Sequence, residues 1–214
     1  MRYVYEFIGT FFLVLVVGMT VSNPNSVALW APLAIGSALA VMVFAGAHIS
    51  GGHYNPAVSL AAFLRKKLTA NDLLLYWITQ LAAGAIAAFA TLYFKGQQAA
   101  APLELDVAKA LLAEFLFTFA LCYVVLNVAT TKVTSGNSYF GWAIGFTVLA
   151  GAYAVGAISS GAFNPAVALG LSILNLSHWS NIWIYLVANL LGGAAAALIV
   201  NAAHPEPGKN EQGR

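Results

Sequence analysis

Residues 49–61 read ISGGHYNPAVSLA, and residues 158–170 read ISSGAFNPAVALG. The two stretches align without a gap at an offset of 109 (Asn164 against Asn55), with 8 of 13 positions identical. Each carries Asn-Pro-Ala inside a run too apolar for an ordinary surface loop. Asn is a favoured helix N-cap because its side-chain oxygen takes up an orphan backbone N–H. Pro suits the first helical position because its φ is preset and it has no N–H to leave unpaired. Asn55-Pro56-Ala57 and Asn164-Pro165-Ala166 therefore each predict a helix start. Their repetition at a fixed offset marks the chain as two related halves.

Composition decides the solvent. The 214-residue chain is 61% hydrophobic and 7% charged, against about 25% charged in soluble domains. The net charge of +2 gives no basis for nucleic-acid binding. A single cysteine, Cys122, excludes an intrachain disulfide. The apolar segment after Met1-Arg2 lacks a small-residue cleavage pattern before Ser22-Asn23-Pro24, so it reads as a first span rather than a signal peptide.

Runs long enough to cross about 30 Å of hydrocarbon lie at residues 3–21, 27–49, 72–94, 107–128, 139–158 and 179–202. Residues 22–26, SNPNS, form a turn, and residues 95–106 a polar connection. The segments 56–64 and 165–174 are too short to span: nine and ten helical residues reach only about 14 and 15 Å. The first stops at Arg65-Lys66-Lys67, suited to a helix C-terminus and to headgroup level. Both short segments predict re-entrant half-helices. The repeat extends further: Glu6 matches Glu114, and Tyr76, Gln80 and Gly84 match Tyr185, Asn189 and Gly193. The expectation is one membrane domain, 1–203, with repeats at 3–94 and 107–202 and a disordered cytoplasmic tail at 204–214.

Three full spans per repeat place the second half in the opposite sense, so the repeats are inverted about an axis in the membrane plane. The half-helices then enter from opposite faces, and Asn55 and Asn164 meet near the midplane. Arg2, Arg65, Lys66, Lys67, Lys132, Lys209 and Arg214 fall on one side, and Lys95 and Lys109 on the other. Both termini are therefore expected in the cytoplasm of a multi-pass plasma-membrane protein.

Irregular backbone at membrane depth is tolerated where it is buried in protein or lines a water-filled cavity. The approach loops 50–54 and 159–163 would present carbonyls to such a cavity. Two helix N-termini, each worth about half a positive charge, oppose cations there. The two Asn amides donate to passing oxygens. This combination fits passive flow of small uncharged solutes.

With these residues in view the chain resembles the major intrinsic proteins, the aquaporins and glycerol facilitators, over residues 3–203. The resemblance implies an all-α membrane protein with an aquaporin-like right-handed bundle of six transmembrane helices plus two re-entrant half-helices. It further implies one pore per subunit, a homotetramer in the lipid bilayer, passage of water and small neutral solutes, and no cofactor or metal. Glu6 and Glu114 match the family's buried glutamates, which hydrogen-bond loop backbone. Gln80 and Asn189 are expected as buried polar partners.

The chain departs from the family at the residue after the second Asn-Pro-Ala, where the family usually has Arg and this chain has Val167. In water channels that Arg joins three other residues in a narrow outer filter. Gap-free counting from the motifs assigns those sites to Ile35, Ala152 and Gly161; a slip of one residue would bring Gly36 and Tyr153 there instead. With Val167 such a filter is apolar and wide, with no fixed cation. The Asp that follows the Arg in glycerol facilitators is replaced by Ala168.

Other features have plainer readings. His48 and His53 lack a third metal ligand nearby and are expected to pack the loop. The small residues 82–85 and 192–197 suit close helix contacts. Trp77, Trp179 and Trp183 suit aromatic belts or lipid-facing surface. An intramembrane hydrolase would use Ser159 or Ser160 with His48 or His53, but these lie on loops entering from opposite sides, and no Gly-x-Ser-x-Gly elbow is present. An ion- or proton-coupled transporter shares inverted repeats and broken helices, but would carry a mid-membrane charge partner that this sequence does not show.

Overall fold

A computed structural model describes residues 1–21, 27–96 and 101–205. The turn expected at 22–26, most of the tail, with Lys209 and Arg214, and part of the 95–106 connection lie outside the described residues. Eight α-helices occur in the described chain: α1 (Arg2–Val21), α2 (Val27–Ser50), α3 (Pro56–Leu64), α4 (Ala70–Lys95), α5 (Val107–Thr130), α6 (Phe140–Ser159), α7 (Pro165–Ile173) and α8 (Ile182–Ala203). Six are long and apolar enough to cross a membrane. The other two, α3 and α7, have nine residues each, about 14 Å at 1.5 Å per residue. The sixth expected span opens with a 3-10 turn, Trp179–Asn181, before α8 begins.

Local chemistry sets the helix ends. Thr69 caps α4 by accepting the Asp72 N–H at 3.1 Å. Asp106 caps α5 by accepting the Lys109 N–H at 3.1 Å, and this bond holds the Asp106 carboxyl below its usual range. Both half-helices close with a left-handed residue, Lys66 (φ 61°) and Asn175 (φ 56°), and with a backbone bond from the next N–H (Lys67 to Ala62, Leu176 to Leu171, each 2.9 Å).

The packing follows the repeat. α1 lies against α2 and α4, α5 against α6 and α8, and α2 meets α6 across the two halves. Each half-helix is held largely by the last span of the opposite half: α3 by α8, and α7 by α4. Glycines permit that approach. A Cβ on Gly84 would come within 2.7 Å of the Ala166 carbonyl oxygen, and one on Gly193 within 2.7 Å of that of Ala57. The small-residue runs on the third and sixth spans thus seat the Asn-Pro-Ala segments as well as neighbouring spans.

Two side chains make contacts that the sequence did not announce. Arg65 is buried against the end of α8. It donates to Asn201 Oδ1 at 3.0 Å and to the His204 carbonyl at 2.5 Å, tying the end of α3 to the end of α8. Trp77 turns inward, its indole N–H donating to the Pro56 carbonyl at 2.9 Å; Trp179 and Trp183 are exposed.

Candidate functional site: the paired half-helix termini

The start of each half-helix is built by its own Asn and completed by the other half. Asn55 Oδ1 accepts the Ala57 N–H, and Asn164 Oδ1 accepts the Ala166 N–H, each at 2.8 Å. The amide of Asn55 donates to the Phe163 carbonyl and that of Asn164 to the Tyr54 carbonyl, again at 2.8 Å each. The two N-termini therefore face each other through reciprocal bonds. Each amide nitrogen has two hydrogens, and the second on each is available to the cavity that both residues border.

The carbonyls that receive these amides belong to strained residues. Tyr54 (φ 49°) and Phe163 (φ 47°) sit in the left-handed region, which costs a bulky side chain on the order of 1–3 kcal/mol. Buried glutamates hold them. Glu6 accepts from Ser50 Oγ (2.7 Å), the His53 N–H (2.9 Å), the Tyr54 N–H (2.7 Å) and Gln80 Nε2 (2.8 Å). Glu114 accepts from Ser159 Oγ (2.8 Å), the Ala162 N–H (2.9 Å), the Phe163 N–H (2.7 Å) and Asn189 Nδ2 (2.8 Å). Tyr76 and Tyr185 add bonds to the Ser50 and Ser159 carbonyls, at 2.6 and 2.9 Å. All four oxygens of the two carboxyl groups are occupied.

A cavity of about 560 Å³ runs past this centre. Its wall includes Asn55, Asn164, Val58 and Val167, and aliphatic side chains of α1, α2, α5 and α6. No Lys, Arg, Asp or Glu is among the described residues that line it. Ile35, Ala152, Gly161 and Val167 all border it, and so does Tyr153. Gly36 instead faces α6, where a Cβ would come within 2.7 Å of the Gly145 carbonyl oxygen. The Tyr153 hydroxyl donates to the Leu29 carbonyl at 3.1 Å, so its polar end is tied to α2. A second cavity, of about 670 Å³, is bordered by Gly51, Lys132, Asn137 and Phe140. Gly51 borders this one and Gly52 the first, so the approach loop stands between them.

Sequence reasoning missed two contributors. His53, expected to pack the loop, borders the cavity that runs past the two asparagines. Ala101 and Leu103, in the connection between the halves, also border it, with Leu103 N–H donating to the Leu176 carbonyl at 3.3 Å. The His53 signal was present in the sequence, because the equivalent position in the second half is Ala162. Leu103 left no periodic or motif signal. His48 lies edge-on to Tyr5, apart from His53. Among the described residues no three His, Cys, Asp or Glu side chains are grouped to hold a metal ion.

Comparison with known proteins agrees with this geometry. A family model described as "Major intrinsic protein" matches residues 1–200. The chain is 35% identical over 178 residues to "Aquaporin TIP1-1" of Arabidopsis thaliana, covering 78% of this chain and 70% of that one. It is 34% identical over 215 residues to "Aquaporin NIP1-3" of Oryza sativa subsp. japonica, covering 94% of this chain and 72% of that one. Among solved structures, "X-ray structure of the aquaglyceroporin from Plasmodium falciparum" shares the fold with a TM-score of 0.78 over 94% of each chain, at 19% identity.

Proposed function

The chain belongs to the major intrinsic protein family, and from that premise we propose how its pore selects. The protein is a multi-pass integral membrane channel for passive flow of water and small uncharged solutes, not an enzyme. The solute path runs through the cavity past Asn55 and Asn164, whose free amide hydrogens replace part of a solute's hydration. The opposed N-termini of α3 and α7 place positive potential at the centre and disfavour cations. Ile35, Ala152, Gly161 and Val167 form the outer filter. With Val167 in the place of a fixed arginine, that filter is wide and apolar and admits glycerol-sized solutes, with slower water flow. Tyr153, its hydroxyl tied to Leu29, borders the filter without closing it. Glu6, Glu114, Gln80 and Asn189 are structural, holding the loop backbones that shape the lumen. Both termini are cytoplasmic, the membrane is the plasma membrane, and the channel assembles as a homotetramer with one pore per subunit.

The observation that carries this reading is the uncharged wall of the cavity around the two asparagines. Stopped-flow light scattering on proteoliposomes tests it. The wild type is expected to pass glycerol, and Val167→Arg to lose at least ten-fold of that permeability while retaining water flow. A wild type that passes water and excludes glycerol overturns the filter assignment.

A further inference from the structure

The two halves part company around His53. Where the first half has His53, Ser59 and Gln80, the second has Ala162, Ala168 and Asn189. His53 packs edge-on to Tyr76 at 5.2 Å between ring centres, and its Nδ1 lies 3.1 Å from Ser59 Oγ. Its Nε2 has no hydrogen-bond partner among the described residues, and His53 is one of the residues that border the cavity past the two asparagines. The absence of a side chain at Gly51 keeps that nitrogen clear, since a Cβ there would come within 2.9 Å of it.

Donor and acceptor counting fixes the protons. Four donors converge on Glu6, the arrangement of a carboxylate, which only accepts. The Gln80 group facing it at 2.8 Å is therefore the NH₂, and the same nitrogen gives its other hydrogen to Ser59 Oγ at 2.9 Å. Ser59 is fully buried. Its own hydrogen has one acceptor among its hydrogen-bond partners, His53 Nδ1. A neutral imidazole that accepts at Nδ1 carries its hydrogen on Nε2. In the second half the shorter Asn189 turns to Thr118 Oγ1 at 2.9 Å instead. The first half forgoes the matching bond, leaving Thr10 Oγ1 without a partner.

We propose that Glu6, Gln80 and Ser59 form a positioning relay that fixes His53 as the Nε2–H tautomer, giving the pore a third donor for the hydroxyl or carbonyl oxygens of neutral solutes. This rests on the channel reading above. The donor stands on one half only, because the equivalent position on the α7 side is Ala162, whose side chain has no donor. Ser59 and Gln80 act through His53 and touch no solute.

The test joins spectroscopy with transport on the full chain in lipid. ¹⁵N NMR of histidine-labelled protein near neutral pH, with the His53 signals assigned by their loss in His53→Gln, is expected to show Nδ1 unprotonated and Nε2 protonated. In Ser59→Ala that signature gives way to exchange between tautomers. In proteoliposomes, the ratio of glycerol to water permeability falls about three- to ten-fold in His53→Ala, the scale of one neutral hydrogen bond. It is retained in His53→Gln, whose amide can both accept from Ser59 and donate to the lumen. A wild-type His53 protonated at Nδ1 overturns the proposal even if a variant fails to fold, and so does an unchanged ratio in His53→Ala. Wild-type liposomes that pass neither water nor glycerol would instead defeat the channel reading itself.

Discussion

Glu6 and Glu114 show how much of this protein rests on single oxygens. In each, one oxygen takes a serine hydroxyl and a backbone N–H, and the other takes a strained residue's N–H and an amide NH₂. Glu6→Gln replaces one acceptor by a donor and orphans two buried donors, at about 1–3 kcal/mol each. Thermal unfolding in detergent should show that loss, and Glu114→Gln should show a similar one because its surroundings repeat. Both glutamates were legible from their matched spacing alone, as were the two asparagines. Their partners across the molecule were not: nothing local tells Asn55 that its amide will meet the Phe163 carbonyl. The partners of Arg65 were hidden for a related reason. A basic run after a helix looks the same whether its first member reaches water or folds back onto Asn201 and His204.

At the scale of elements, the half-helices are short because of what lies at their ends; the sequence displayed the Pro that starts each and the basic run after the first, but not the left-handed residues that close them. Pro at the start and the left-handed closing residues bound each to nine residues. In water a helix this short is marginal; here its cap, its opposing partner and a glycine-lined seat hold it. Gly84→Ala sets a methyl against the Ala166 carbonyl, and Gly193→Ala does the same against Ala57. Each is expected to cost about 1–3 kcal/mol as overpacking and to lower solute permeability, because the displaced element carries the Asn-Pro-Ala segment. Equal permeability and melting temperature in both variants would show that the seats are slack. The cross-half seating, α3 on α8 and α7 on α4, was not legible, since the same runs of small residues serve neighbouring spans equally well.

For the whole molecule, pseudo-symmetry yields a passive device. No Lys, Arg, Asp or Glu among the described residues lines the cavity past the two asparagines, and the one titratable side chain there besides Tyr153, His53, is held by Ser59 at 3.1 Å as a neutral partner rather than as a carrier that loads and unloads a proton. Glycerol flux through proteoliposomes should therefore be unchanged when a proton gradient is imposed or collapsed; flux that follows the gradient would point to a coupled transporter. The inverted architecture was legible because three spans per repeat is an odd number. The wall of the mouth was less so: Leu103 arrives there through tertiary packing rather than pattern. The reciprocal asparagine bonds also bear on how the protein is made. The carbonyl that completes Asn55 lies 108 residues downstream, and the one that receives Arg65 lies 139 downstream. The first half thus leaves the ribosome with its re-entrant segment unfinished and polar groups unmatched, and stays so until nearly all of the chain has been synthesised. Biogenesis must shelter that intermediate, and the last span is the one whose insertion releases it into its final form.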